Sequence, residues 1–93
     1  MSGRKFDSVW DAIEDTSEAA ANMKLRAELM IALQDRVGRQ PGTQSQKAEK
    51  LGITQPRLND LLRGQISKFS LDALVNLASR AGLRVDLRLH RAA

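Results

Sequence analysis

The chain is 93 residues long, room for one small domain and too short for a two-domain enzyme with a cleft between its halves. Hydrophobic residues at 42% and charged residues at 28% make a globular composition, which excludes a disordered chain. The net charge of +4 is unevenly spread: residues 1–35 hold four bases against seven acids, a net −3, and residues 36–93 hold eleven bases against four acids, a net +7. An excess concentrated in this way suits a polyanion-binding surface.

The first expected element covers 6–13, where Phe6, Val9, Trp10 and Ile13 form the stripe of a short amphipathic helix that docks on the main body. Asp15 or Thr16 then offers an N-cap, with Glu18 in the first turn. A long helix is expected over 19–37, with Met23, Leu25, Leu29, Met30, Leu33 and Val37 on one face and charged residues on the other. The stretch 38–42 stops it, because Pro41 lacks an amide and disfavours helix in its predecessor.

Thr43, with Gln46 three residues on, forms a capping box for a helix Gln44–Leu51. Gly52 ends that helix, Thr54 caps the next, Gln55–Leu62, and Pro56 is tolerated in its first turn. Ile53 and Leu58 flank the second cap as a hydrophobic staple; Phe69, Ser70 and Leu74 repeat the device before a helix that runs to Gly82. Its inward positions are Leu71, Leu74, Val75, Leu77, Ala78 and Ala81.

The period then changes from helical to alternating. Leu83, Val85, Leu87 and Leu89 interleave with Arg84, Asp86, Arg88 and His90, the pattern of a strand over 83–90. A lone strand needs a partner for its amides and carbonyls, and no second strand is visible. The simplest partner is the same strand of a second copy, antiparallel across a two-fold axis, which makes Leu83, Val85, Leu87 and Leu89 dimerisation residues. The fold class is therefore mainly α, with four to five helices and a C-terminal β-strand pairing across a dimer. Three regions follow: an N-terminal segment 1–16 with a short helix, a helical domain 17–82 whose central motif, described next, marks it for DNA binding, and a dimerisation strand and tail 83–93.

Two short helices joined by a tight Gly-containing turn read as a helix-turn-helix, with Ala48 small where they cross. Thr54, Gln55, Arg57 and Asn59 then stand at the start and outer face of the second helix, where base-reading groups belong. Thr54 serves as a cap and lies beside the phosphate backbone. Gln55 has no capping duty, and its amide can pair bidentately with adenine; Arg57 can reach guanine or phosphate. Lys47, Lys50, Arg63 and Lys68 surround the motif as candidate phosphate contacts or a solvated basic face. Gln44, at the N-terminus of the first motif helix, is a further phosphate candidate.

The run TQSQKAEKLGITQPRLNDLLRG over 43–64 resembles the helix-turn-helix of the phage repressor-like family (Xre, Cro-type) of DNA-binding proteins. MKLRAELMIAL before it and KFSLDALVNLASRAGLRV after it are similar to the compact HigA-like subgroup, many of whose members are antitoxins of RelE-like toxins. The resemblance implies a lambda repressor-like fold and a dimeric transcriptional repressor on a palindromic operator. By the family pattern Gln44 contacts phosphate, and Thr54, Gln55 and Arg57 face the major groove. Lys47 departs from that pattern, since many members carry an apolar, core-facing residue there. Stand-alone and prophage regulators without a toxin partner share the same motif.

Other classes find less support. An enzyme is not expected: the one histidine, His90, has no metal-ligating company, no Gly-rich phosphate loop occurs, and neither catalytic residues, metal nor cofactor are assigned. The chain has no cysteine, so neither disulfides nor thiolate sites support so small a core, and oligomerisation is the expected support. With no run of 18 apolar residues and no apolar segment after the N-terminus, a cytoplasmic protein without membrane contact is expected. A protein-interaction module that has lost DNA binding stays open, with Phe6, Val9 and Trp10 as an apolar patch.

Overall fold

The computed structural model describes residues 16–91; the short helix expected over 6–13, with Trp10, lies outside them. Helix α1, Ser17–Arg39, is capped by the Thr16 hydroxyl, which accepts from the Ala19 amide at 2.9 Å. Its 23 residues span about 35 Å, and it is the post against which the rest of the chain packs. Helices α2, Gln44–Leu51, and α3, Gln55–Leu62, have the bounds expected from sequence. A 3-10 turn, Ile66–Lys68, precedes α4, Leu71–Arg80, whose N-cap Ser70 accepts from the Ala73 amide.

Each boundary has a local cause. Both halves of the capping box form: the Gln46 amide donates to the Thr43 hydroxyl at 3.1 Å, and the Thr43 amide donates to the Gln46 side-chain carbonyl at 2.9 Å. At the other end of α2, Gly52 takes the left-handed conformation (φ 72°), which lets the Ile53 amide reach back to the Ala48 carbonyl at 3.0 Å. A side chain at that φ is strained, so glycine fits the turn between the two motif helices.

The core is aliphatic apart from one ring. Leu33, Val37, Leu51, Leu58, Leu61, Phe69 and Leu74 are its largest fully buried side chains, and all four helices contribute to the cluster. Each such side chain contributes about 1.5–3 kcal/mol by leaving water. Ile53, read as a staple residue, packs half-buried against this cluster. Met23 and Leu25, expected on the inner stripe of α1, are instead exposed, as is Val75 on α4.

Polar side chains of α1 and of its C-cap Gln40 hold the ends of the later elements. Gln34 Nε2 donates to the Leu61 and Leu62 carbonyls at the C-terminus of α3. Arg36 Nε and Gln40 Nε2 both donate to the Ala81 carbonyl at the end of α4, and Arg26 Nη1 reaches the Ile66 and Phe69 carbonyls around the 3-10 turn. Arg80 of α4 closes the ring by donating to the Leu51 carbonyl at the end of α2. Helix C-termini leave carbonyls without intrahelical donors and carry negative dipole charge, so cationic donors there stabilise doubly.

The strand expected over 83–90 is not formed. After the Leu83 amide bonds the Ala78 carbonyl at 2.8 Å, the chain runs on without regular structure, and no strand occurs among the described residues. A strand exists only through a ladder, and among the described residues no second strand is present to provide one. Leu83 is half-buried and Val85 half-exposed, whereas Leu87 and Leu89 are 76% and 85% exposed. Leu83, Val85 and Leu87 line a groove of about 370 Å³ with Leu25 and Leu29 of α1 and Val75 of α4.

Candidate nucleic-acid interface

Helix α3 buries Leu58 and Leu61, which turns Gln55, Pro56, Asn59 and Arg63 outward as exposed residues. The Thr54 hydroxyl caps it, accepting from the Arg57 amide at 3.2 Å. Gln55 follows at the first helical position, exposed and with its side chain making no bond to any described residue. Gln44 stands in the equivalent place on α2, also exposed. The structure therefore brings Thr54, Gln55 and Asn59 onto one accessible end and face, with Gln44 on the neighbouring helix.

Arg57 sits differently from the other candidates. Its guanidinium carbon lies 4.0 Å from the centroid of the buried Phe69 ring, and its Nη1 donates to the Lys68 carbonyl at 2.7 Å. The side chain is half-buried and bridges α3 to the 3-10 turn. Sequence reasoning missed this contact because it used Phe69 only as a staple residue before α4.

Lys68, a candidate phosphate contact or part of a solvated basic face by sequence, has its Nζ 3.5 Å from the Asp60 carboxylate. Asp60 is a half-buried acid of α3, and an unpaired acid on that helix would repel an approaching anion; the lysine offsets its charge. Sequence spacing gave no sign of this pair, since the turn geometry that joins 60 to 68 is tertiary. Lys47 is half-buried, at the boundary where an apolar residue would pack further in, and Arg63 is the exposed C-cap of α3.

The basic excess of residues 36–93 divides by location. Arg36 and Arg80 are held on helix-end carbonyls. Arg39 pairs with Asp35, Arg84 with Asp86, and Lys68 with Asp60. Lys47, Lys50, Arg57 and Arg63 then carry the charge around the two motif helices with no acidic partner among the described residues. Cations distributed over the two motif helices suit a phosphate backbone flanking a groove.

Two short helices at a glycine turn, the second with its polar N-terminal residues outward, define a helix-turn-helix of the DNA-binding class. The family model described as "Helix-turn-helix domain" matches residues 12–90, and the chain belongs to that family. No curated protein matches the chain. Among the described residues, no helix is long and apolar enough to cross a membrane, and no group of three or more His, Asp or Glu could hold a metal ion.

Proposed function

We propose that the chain is a cytoplasmic, non-enzymatic transcriptional repressor that binds double-stranded DNA as a homodimer on a palindromic operator. The observation that carries this reading is the motif helix α3, whose N-cap Thr54 and residues Gln55 and Asn59 are exposed, in a helix-turn-helix that also carries the basic residues Lys47, Lys50 and Arg63. Gln55 and Arg57 read base edges; Gln44, Lys47, Thr54, Arg63 and Lys68 set the register on phosphates.

Dimerisation uses the alternating tail. Residues 84–91 make no backbone hydrogen bond to any described residue, and Leu87 and Leu89 are exposed, so pairing with a second copy would satisfy the amides and cover apolar surface together. Such a dimer sets two recognition helices about 34 Å apart, one turn of the duplex. The likeness to the HigA-like subgroup extends the reading to an antitoxin of a RelE-like toxin, as against a stand-alone or prophage regulator. Co-purification with the product of an adjacent gene separates these two.

The test is selection of duplexes from a random-sequence library by the full chain, followed by titration of the selected and a scrambled duplex at several salt concentrations. A repressor of this kind selects an inverted repeat and loses affinity steeply with salt. Equal, salt-independent binding to both duplexes would return the chain to a protein-interaction module.

A further inference from the structure

The contact between Arg57 and Phe69 has a use beyond packing. A guanidinium stacked on an aromatic ring keeps its donors in the plane of the group, so one face can be buried while the hydrogen-bonding edge stays available. Arg57 has one such bond, Nη1 to the Lys68 carbonyl, and its other N–H groups bond no described residue. The platform beneath it is firmly set. Phe69 is 1% exposed in the core, and the 3-10 turn is held by the Lys68 amide on the Gln65 carbonyl (3.0 Å) and the Phe69 amide on the Ile66 carbonyl (3.2 Å). Arg26 ties the Ile66 and Phe69 carbonyls to α1.

Resting on the DNA-binding reading above, we infer that Phe69 is a positioning residue for sequence readout: with the Lys68 carbonyl it holds the Arg57 guanidinium in one orientation before DNA arrives. A free arginine must be ordered on binding, at a cost in side-chain entropy that falls on every complex it makes. A stacked one is ordered already and offers its fork at a fixed angle, which favours the base whose acceptors match it. The only Phe, Tyr or Trp side chain among the described residues thus sits under the one arginine of α3.

The experiment uses the full chain and two probes, a duplex that the wild-type chain selects from a random library and a scrambled duplex of equal length. Phe69→Leu keeps an apolar core residue and removes the ring. Its operator-to-scrambled affinity ratio should fall about five-fold, the worth of a cation–π contact at a partly exposed site, with flattened preference at one base position. In an Arg57→Ala background the same Phe69 change should leave the ratio where Arg57→Ala alone puts it. In the DNA-free chain, the Arg57 Nε–H and δ-methylene proton resonances should lie upfield in the wild type and relax toward ordinary positions in Phe69→Leu.

An equal loss on both duplexes, or a Phe69 effect that persists without Arg57, overturns the inference and leaves Phe69 as core. Should Phe69→Leu fail to fold, Arg57→Lys decides, since it keeps the charge but not the planar fork: unchanged base preference in that variant also overturns it. A wild-type chain that selects no sequence overturns the DNA-binding reading itself, while the proton shifts still report whether the stack exists.

Discussion

The turn between the motif helices can be tested with one substitution made at two glycines. At Gly52 the backbone is left-handed, φ 72°, and an added Cβ would come within 3.3 Å of Arg80 Nη1. Placing an L-residue there costs about 1–2 kcal/mol in backbone strain. The arginine tip is the flexible end of a side chain and gives way by a few tenths of an ångström, but it is also the group that donates to the Leu51 carbonyl at 3.1 Å. Gly52→Ala should therefore destabilise the domain by about 1–2 kcal/mol, which lowers the melting midpoint by roughly 5–15 °C in a domain of this size. Gly38 near the C-terminal end of α1 has nothing within 4 Å of an added Cβ. Gly38→Ala should raise the midpoint, by at most about 1 kcal/mol in stability, because alanine loses less backbone entropy in a helix. Thermal unfolding followed by circular dichroism reads both. Equal shifts of the same sign, or a Gly52→Ala midpoint within 2 °C of wild type (about 0.3 kcal/mol), would refute the assignment of the turn strain.

Other consequences can be checked on the same protein. Thr54→Ala removes the hydroxyl that caps α3 at the Arg57 amide and should cost about 1 kcal/mol, seen as a lower urea midpoint with an unchanged m-value. Leu33→Ala, at a fully buried site where α1 meets the core, should cost about 2–5 kcal/mol in the same assay; a value below 1 would mean that the core collapses around it. If Lys47, Arg63 and Lys68 of two copies make the phosphate contacts, six cations give a log–log salt slope no steeper than about −5, whereas engagement of the whole basic excess would exceed it. Val85→Pro removes an amide that an intersubunit ladder would use, so sedimentation should shift toward monomer; an unchanged dimer sinks the ladder.

Sequence alone located what is decided locally. Thr16, Thr43, Thr54 and Ser70 act as caps, and the bounds of α2 and α3 follow from capping oxygens and a glycine turn that involve residues only three to five apart. It located less well what depends on the partner surface. Met23, Leu25 and Val75 carry the right period for burial but lie where the described chain supplies no covering layer, so they remain exposed or line the groove. The alternation of 83–90 predicts a strand equally well whether or not a ladder exists, because period two reports which side chains share a face and not what bonds the backbone. Arg57 is read from sequence as a contact to guanine or phosphate, and only folding brings Phe69 beneath it.

The two motif helices have eight residues each, well below the length at which an isolated helix persists in water. Their geometry must therefore come from elsewhere in the chain, and the hydrogen bonds show where. Gln34 of α1 holds the C-terminus of α3, Arg80 of α4 holds the C-terminus of α2, and Arg57 ties the body of α3 to the turn before α4. These bonds reach across 11 to 29 residues, so the angle at which Gln55 and Asn59 would meet a groove in the proposed complex is set by contacts distant in sequence. Helix positions near 0.5 Å matter for a bidentate base contact. It follows that substitutions at Gln34 or Arg80 should blur sequence preference before they unfold the domain, and that the helix-turn-helix is a readout surface only as part of the whole bundle.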